Sequence, residues 1–230
     1  MELFSPEHLA AIAATVLGAI LLAVVPRRLT PGAANNVTRA LAVVILAGFA
    51  VEQATYVARG TWEADVNLPL QLSDAATLTA VVALWRARAG LLTELVWFWA
   101  FTATLQAMLT PDLGYGFPDV LYFTYFATHG GVIAAACLLV LGMRLFPRPR
   151  ASLRVYGVTA AFAVLAAIGC LAAGGNYMYL RDKPSNGSIL DAMGPWPVYV
   201  LAAAALGLAM LLVLEAIARA VARGGRAGRA

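Results

Sequence analysis

The sequence predicts an all-α polytopic membrane protein, a bundle of seven transmembrane helices. Hydrophobic residues make up 62% of the 230 residues and charged residues only 12%, a balance typical of membrane proteins. A helix needs roughly 20 apolar residues to cross about 30 Å of hydrocarbon. Seven windows approach this length, namely 8–25, 38–58, 68–85, 91–110, 119–142, 152–173 and 196–218. Because only short connections remain, residues 1–222 are predicted to form one transmembrane domain.

The basic residues are distributed unevenly between the two sides of the predicted bundle. When the connections are taken alternately, thirteen arginines fall on one side, namely Arg27, Arg28, Arg39, Arg86, Arg88, Arg144, Arg148, Arg150, Arg154, Arg219, Arg223, Arg226 and Arg229. Only Arg59, Arg181 and Lys183 fall on the other side. The positive-inside rule therefore predicts an outside N-terminus and a cytoplasmic C-terminus. Residues 223–230 are predicted to form a disordered, basic cytoplasmic tail.

Charge, cysteine and lysine usage narrow the function further. The net charge of +4 is interpreted chiefly as a signal of membrane topology. Attraction of the basic residues to anionic lipids of the inner leaflet is a second interpretation. Nucleic acid is not an expected partner. Cys137 and Cys170 lie in apolar windows without ligand-like spacing, so we expect small core residues and no metal site. Lys183 is the only lysine and precedes the last window, which excludes a retinal protein with a Schiff base in its final helix.

Several polar residues fall inside the windows, all in the half predicted to face outward. Each helical residue advances about 1.5 Å, so Ser73 and Asp74 are expected roughly 10 Å deep in the third window. Glu52 lies about as far into the second window, and Gln106 lies one turn below the outer end of the fourth. His129 is expected on the order of 15 Å into the fifth window. These residues predict a polar pocket in the outer half of the bilayer.

Helical spacing groups the polar residues into faces, since residues three, four or seven apart lie on one side of a helix. Asn67, Gln71 and Asp74 are expected to form one stripe, and Tyr125 and His129 another. Lipid-facing polar groups would be unsatisfied, so these faces are expected to turn inward. The residues predicted to bind substrate around the pocket are Asn67, Gln71, Gln106, Tyr125, Asn176 and Tyr177.

Structural explanations compete with a functional one. A serine in a membrane helix commonly bonds the carbonyl four residues back, and a tyrosine near a helix end, such as Tyr177, is commonly an interfacial anchor. The ionisable residues Glu52, Asp74 and His129 favour function more strongly, because each costs ~3 kcal/mol or more inside the membrane. A purely structural polar cluster stays open as the alternative.

Five motifs in order resemble a known family over residues 50 to 200 or so. The motifs are LPLQLSD (68–74), FWAFTATLQAMLTPDL (98–113), FPDVLYFTYFATHG (117–130), NYMYLRDKP (176–184) and MGPWPVY (193–199). Together they resemble the YwaF-type bacterial integral membrane proteins, which are similar to eukaryotic transmembrane protein 164. The resemblance implies a multi-pass protein of the plasma membrane, here a bacterial inner membrane.

The same resemblance implies an activity and a pair of working residues. The eukaryotic relative is described as an acyltransferase acting on phospholipid acyl chains through a cysteine and a histidine. Those two positions correspond to Ser73 and His129. Serine in place of cysteine is a departure, but the androgen-induced family of intramembrane lipid hydrolases is likewise described as using a hydroxyl residue and a histidine.

The residue types fit an acyl transferase or an acyl-ester hydrolase acting on outer-leaflet lipids, without metal or organic cofactor. Ser73 would be the nucleophile. His129 would be the general base, because it is the only imidazole expected inside the membrane. Asp74 or Glu52 would orient His129, and Asn67, Gln71 or Gln106 would donate hydrogen bonds to the oxyanion.

Two other functions remain open from the sequence. A proton- or ion-coupled transporter would use Glu52, Asp74 and His129 as a relay, but it needs polar residues that continue to the cytoplasmic side, where the helix halves look apolar. A non-catalytic lipid-binding protein would use the same pocket without turnover.

Overall fold

The computed structural model describes residues 2–184 and 187–227, and this part of the chain is helical without any strand. Its α-helices are α1 (Pro6–Val24), α2 (Pro31–Ala58), α3 (Leu72–Arg86), α4 (Leu91–Trp99), α5 (Leu105–Leu109), α6 (Val120–Ala136), α7 (Ala151–Ala173) and α8 (Val198–Ala227). Ala100–Thr104 joins α4 to α5 in π-helical geometry, and Cys137–Gly142 continues α6 in the same geometry. The predicted all-α class is confirmed.

The predicted windows and the helices agree closely along most of the chain. Among the described residues, five helices are long and apolar enough to cross a membrane, namely Pro6–Arg28, Pro31–Ala58, Val120–Gly142, Ala151–Ala173 and Val198–Gly224. The chain is therefore a multi-pass membrane protein. Helix α8 continues to Ala227, so residues 223–227, predicted as a disordered tail, are helical, and residues 228–230 lie outside the described part.

The helices begin where side chains can accept the first free backbone N–H groups. The Ser5 hydroxyl accepts from the His8 N–H ahead of α1, the Thr30 hydroxyl accepts from the Ala33 N–H ahead of α2, and Asp119 accepts from the Leu121 N–H ahead of α6. A proline follows Ser5 and Thr30 at the first helical position, where its missing N–H costs nothing. These caps set the starts of α1, α2 and α6.

Helix α6 is the central helix of the bundle, with α1, α2, α3 and the α4–α5 segment packed around it. Two adjacent glycines make the approach of its neighbours possible. A Cβ atom on Gly130 would lie 2.5 Å from the Thr15 hydroxyl oxygen of α1, and one on Gly131 would lie 2.6 Å from Cγ1 of Ile45 in α2. Any larger residue would therefore push α1 or α2 away from α6.

Contacts at both ends of the bundle establish the directions of the helices. Helices α1 and α6 are parallel, because the Tyr122 hydroxyl donates to the Glu7 carbonyl at their starts (2.6 Å) and Arg27 donates to the Leu141 carbonyl beyond their ends (3.0 Å). Helices α2 and α6 are antiparallel, because Arg59, just after α2, pairs with the α6 cap Asp119 at 3.0 Å.

We call the end where α1, α3, α6 and α8 finish the basic end of the bundle. Two buried glutamates lie there. Glu94 of α4 is 1% exposed and pairs with Arg148 and Arg154, each at 2.8 Å, and Glu215 of α8 pairs with Arg219 and accepts from the Ser152 N–H at 3.0 Å. The expectation that these helix halves are apolar is therefore wrong at two positions, and the arginine partners explain why burial is tolerated.

The close approach at Gly131 gives a test of the packing. Gly131→Ala is expected to lower the free energy of unfolding by about 1–3 kcal/mol, because the new Cβ overlaps Ile45 in a packed interior. Gly18→Ala in α1 is the matched control, since no atom lies within 4 Å of its Cβ position. Denaturant unfolding of the two variants in detergent micelles measures the difference, and equal stabilities would show that α2 yields to the added methyl group.

Candidate active site

His129 lies on the central helix α6, where it is 8% exposed. Its Nδ1 atom is 2.9 Å from the Tyr125 carbonyl oxygen, one turn earlier in the same helix. A carbonyl oxygen only accepts, so Nδ1 carries the hydrogen in the neutral ring and Nε2 keeps its lone pair. Nε2 has no hydrogen-bond partner among the described residues. His129 is thus a buried imidazole whose basic nitrogen is available.

A second buried imidazole, His8 of α1, has both nitrogens engaged. His8 is fully buried at the start of α1, so the described residues hold two enclosed imidazoles, whereas the sequence predicted only His129 inside the membrane. The His8 Nδ1 atom accepts from the Phe4 N–H at 3.0 Å, and Nε2 is 2.8 Å from the Met108 carbonyl oxygen, to which it donates. Since neither nitrogen is left over, His8 has a structural role at the end of α5.

Tyr125 connects His129 to the rest of the site. Its ring stacks on the imidazole with 4.0 Å between centroids and 22° between planes. Its hydroxyl donates to the Ala107 carbonyl of α5 at 2.8 Å, which satisfies one of the carbonyls that the end of a helix leaves free. Tyr125 therefore orients His129 through its backbone and its ring and ties α6 to α5 through its hydroxyl.

Two carboxyl groups from neighbouring helices lie near Tyr125. Glu52 of α2 interacts electrostatically with Asp74 of α3, and both interact with the Tyr125 phenol. Glu52 and Asp74 are half-buried, so each keeps surface that a small polar group can reach. Four of the predicted residues thus belong to three helices that pack on one another, α2, α3 and α6.

The contacts of His129 correct one prediction about the carboxylates. Neither Glu52 nor Asp74 makes a hydrogen bond to the imidazole within the described part of the chain. The orienting acceptor is the Tyr125 carbonyl instead. Because that carbonyl belongs to the same helix as His129, the ring orientation does not depend on a side chain from another helix.

The start of α3 corrects a second prediction. The helix begins at Leu72, so Asn67 lies in the preceding connection and does not share a helical stripe with Gln71 and Asp74. Ser73 and Asp74 lie in the first turn, where the Asp74 carboxylate accepts from the Gln71 N–H at 3.2 Å. The expectation that they lie roughly 10 Å along a helix that begins near residue 68 is therefore wrong. The Asp74 carboxylate thus accepts from a backbone N–H group at the start of α3.

Ser73 is half-buried beside this helix start. Its carbonyl oxygen accepts from the Thr77 hydroxyl at 2.9 Å, whereas its own hydroxyl makes no hydrogen bond within residues 2–184 and 187–227. The common explanation for a membrane serine, a bond to the carbonyl four residues back, does not apply to it. The hydroxyl is not joined to His129 either.

Two of the predicted substrate-binding residues, Tyr177 and Gln71, hold two connections together. The Tyr177 hydroxyl donates to the Ala64 carbonyl at 2.5 Å and accepts from the Leu68 N–H at 3.1 Å. The Gln71 side-chain oxygen accepts from the Met178 N–H at 2.8 Å. These bonds join the α2–α3 connection to the α7–α8 connection, and Tyr177 is fully buried, which excludes an interfacial anchor.

The other predicted binding residues have local partners. The Asn67 side-chain oxygen accepts from the Glu63 N–H at 2.9 Å, and the Asn176 amide donates to the Asp182 carbonyl at 2.7 Å. The Gln106 amide donates to the Thr110 hydroxyl at 2.9 Å in an exposed position. None of the three amides contacts His129, so the predicted roles of Asn67 and Gln106 as oxyanion donors have no support in these contacts.

Thr104 is a residue of interest that the sequence analysis missed. It is fully buried, and its hydroxyl is one of two buried side-chain polar atoms without a partner among the described residues, the other being the Trp97 indole N–H. The α4–α5 segment runs antiparallel to α6, and Ala107 is level with Tyr125. Thr104, three residues earlier, is therefore at about the level of His129.

An apolar groove of about 250 Å³ opens between α1, α6 and the π-helical segment that leads into α5. Its α6 wall includes Ile133 and Cys137, which follow His129 by four and eight residues. Its other walls include Ala19 of α1, Phe101 and Leu105. The groove thus extends along α5 as far as Met108 and Leu109, and its α6 wall begins four residues, about one helical turn, after His129. Both cysteines are buried and free, as expected of small core residues.

The described residues contain no group of three His, Cys, Asp or Glu side chains placed to hold a metal ion. Comparison with known families matches residues 3–215, most of the chain, to the TMEM164 family. No curated protein and no solved structure matches the chain.

The bonds of Tyr177 give a test of its structural role. Tyr177→Phe is expected to lower the free energy of unfolding by about 1–3 kcal/mol, because it removes both hydrogen bonds of a fully buried side chain, to the Ala64 carbonyl and from the Leu68 N–H. Tyr156→Phe in α7 is the control, since no hydrogen bond of its hydroxyl is found in the described structure. Thermal unfolding in detergent checks the pair. A substrate-binding Tyr177 would instead leave stability unchanged and raise KM.

Proposed function

The chain belongs to the TMEM164 family, and we propose that it is an intramembrane lipid acyltransferase or acyl-ester hydrolase that works through Ser73 and His129. The substrate is a membrane acyl lipid in the leaflet at the end of the bundle opposite the basic end. The observation that carries the proposal is the available Nε2 lone pair of a buried, pre-oriented His129. His8 cannot replace it, because both of its nitrogens are bonded.

We propose that all seven helical segments cross the membrane, with α4, the π-helical segment and α5 acting as one span. Helix α3 has 15 residues, fewer than the roughly 20 that a span needs, so the connection before it would complete the crossing. The alternating helix directions support this count. The concentration of arginines supports a cytoplasmic basic end and an outside N-terminus, in a plasma membrane such as the bacterial inner membrane.

The proposed reaction begins with proton removal from Ser73. Its Oγ atom attacks the ester carbonyl carbon while the proton passes to His129 Nε2. Collapse of the tetrahedral species breaks the ester bond, the leaving alkoxide takes the proton from His129, and the acyl group stays on Ser73. An acceptor hydroxyl or water then attacks the acyl-serine, and Ser73 recovers its proton through His129. Lipid binding must draw the Ser73 hydroxyl toward the imidazole, as catalytic hydrogen bonds commonly tighten in the substrate complex.

The carboxyl groups have an electrostatic role in this proposal. When His129 takes the proton it becomes a cation inside a low-dielectric interior, where a nearby negative charge stabilises it strongly. Glu52 and Asp74 lie beside the Tyr125 ring that stacks on His129. One ionised carboxylate of this pair is sufficient, and the Tyr125 carbonyl fixes the ring orientation that a triad acid fixes in other hydrolases.

Thr104 is the proposed donor to the oxyanion. A buried hydroxyl without a partner is costly to the fold, and such a cost is commonly found at functional sites. Its level on the α4–α5 segment matches that of His129, whereas the predicted donor Gln106 is exposed and bonded to Thr110. The hydroxyl is therefore free to bond the negative oxygen that develops on the ester carbonyl.

The apolar groove is the proposed site of the acyl chain. Its walls are almost entirely hydrocarbon side chains, contributed by α1, by α6 and by the segment that leads through α5. An ester carbonyl held near His129 would let the chain extend along Ile133 and Cys137 toward the bilayer centre. This direction is the one a lipid tail takes from its headgroup.

Replacements at the two reactive positions test the chemistry. Ser73→Ala and His129→Ala are each expected to lower turnover of a radiolabelled phospholipid by about 10³-fold or more while the protein still folds. Ser73→Cys is expected to retain transfer, to become sensitive to thiol alkylation and to stay active at lower pH, because a thiol paired with His129 forms a thiolate. Cys170→Ala, which lies outside the proposed acyl-chain groove, is the control and should be nearly unchanged.

The location of the radiolabelled acyl group after the reaction distinguishes an enzyme from the two other functions. An enzyme carries the radiolabelled acyl group covalently on residue 73 after denaturation. Lipid that copurifies without turnover, and without a label on Ser73, would identify a non-catalytic lipid-binding protein. Proton uptake into vesicles that depends on Glu52 and Asp74 but not on Ser73 would identify a transporter.

Thr104 gives an independent prediction with opposite effects on stability and activity. Thr104→Val is expected to leave stability unchanged or raised, since it removes an unpaired buried hydroxyl, and to lower turnover by about 100-fold if that hydroxyl bonds the oxyanion. Thr102→Val is the matched control, because the Thr102 hydroxyl already donates to the Phe98 carbonyl at 2.8 Å. Turnover and thermal unfolding are measured on both. Full activity of Thr104→Val would remove the proposed role.

A further inference from the structure

A second cleft lies at the basic end, far from the proposed active site. It has a volume of about 520 Å³, within the range of ligand sites. It opens between the connection that follows α6 and the last turns of α8. Three arginines line it, Arg144 from the connection and Arg219 and Arg223 from α8, together with the apolar side chains of Phe146, Pro147 and Ala222.

The cleft has an excess of positive charge. Within the described chain around it, Glu94 is paired with Arg148 and Arg154, and Glu215 with Arg219. Arg223 has no carboxylate within ion-pair distance among the described residues, and Arg144 has only a ring contact, with its guanidinium 5.9 Å from the centroid of Phe146. Two guanidinium groups are therefore left to bind an anion at one opening.

The surroundings of the cleft indicate a lipid anion. The α8 segment that is long and apolar enough to span the membrane runs from Val198 to Gly224, so Arg219 and Arg223 lie in its last turns, at the level of the headgroups. Leu212 lies seven residues before Arg219, therefore on the same side of α8, and is 49% exposed. An acyl chain would cover this apolar face while its headgroup entered the cleft.

We propose that this cleft binds the phosphodiester headgroup of an anionic phospholipid in the leaflet at the basic end. The planar guanidinium groups of Arg144 and Arg223 supply paired N–H donors that match phosphate oxygens. Arg219, already held by Glu215, lends further positive charge. The bound lipid joins the α6–α7 connection to α8, and the site does not depend on the proposed chemistry at the other end of the bundle.

Lipid titration of the purified full-length chain tests the site. The unfolding temperature in neutral detergent is followed while phosphatidylglycerol, phosphatidylcholine or inorganic phosphate is added. Phosphatidylglycerol is expected to stabilise the protein saturably, and the other two are not. Loss of each arginine is expected to weaken the apparent affinity about five-fold, so the double variant Arg144→Gln, Arg223→Gln should bind about 25-fold more weakly.

Two controls make the outcome decisive. The charge-matched double variant Arg28→Gln, Arg88→Gln removes exposed arginines at the same end outside the cleft, and it should bind phosphatidylglycerol like the parent. Equal weakening in both double variants would show general surface attraction and overturn the site. Equal stabilisation by inorganic phosphate would assign the cleft to a soluble anion, and equal stabilisation by phosphatidylcholine would exclude recognition of negative charge. Unfolding temperatures without lipid establish that each variant is folded, and Arg144→Lys, Arg223→Lys, which keeps the charge, should lose less affinity than the glutamine pair.

Discussion

The close packing of α1 and α2 against Gly130 and Gly131 of α6 is the contact on which the rest of the bundle depends. Without side chains at these positions, α6 is enclosed by its neighbours instead of facing lipid. Enclosure brings His129 and Tyr125 inside, and an enclosed imidazole can keep one unbonded nitrogen only because its other nitrogen is satisfied within its own helix. A central helix exposed to lipid would leave both polar groups without partners.

The two ends of the bundle differ in how their carboxyl groups are paired. At the basic end, the buried carboxylates Glu94 and Glu215 are neutralised by arginines from neighbouring segments, which anchors α4, α7 and α8 to one another. At the opposite end, the half-buried carboxyl groups of Glu52 and Asp74 form no ion pair within the described part of the chain. The arginine-paired glutamates are therefore suited to a structural role, whereas Glu52 and Asp74 are left for polar contacts with a bound molecule.

Much of the architecture could be predicted from the sequence, because apolar windows and arginine positions reflect constraints that act locally. Features set by long-range contacts could not. The start of α3 was misplaced because Asn67 and its neighbours are held in a connection by Tyr177, more than 100 positions away. The burial of His8 depends on the Met108 carbonyl, exactly one hundred positions along the chain. Of the candidate site, the proposed pairing of Ser73 with His129 came from a family resemblance, the expected approach of Glu52 and Asp74 came from shared depth, and the unpaired Thr104 hydroxyl gave no signal in the sequence.

Tyr125 makes two hydrogen bonds that together connect His129 to α5. Its backbone carbonyl holds the imidazole of His129, and its hydroxyl is bonded to the last turn of α5. Sliding of α5 along α6, or separation of the two helices, would strain that hydroxyl bond and tilt the ring that stacks on His129. The groove beside α5 is lined by residues of the same two helices, α5 and α6. A molecule bound in the groove that displaced α5 would therefore change the orientation of the His129 ring from about one helical turn away, without contacting the ring.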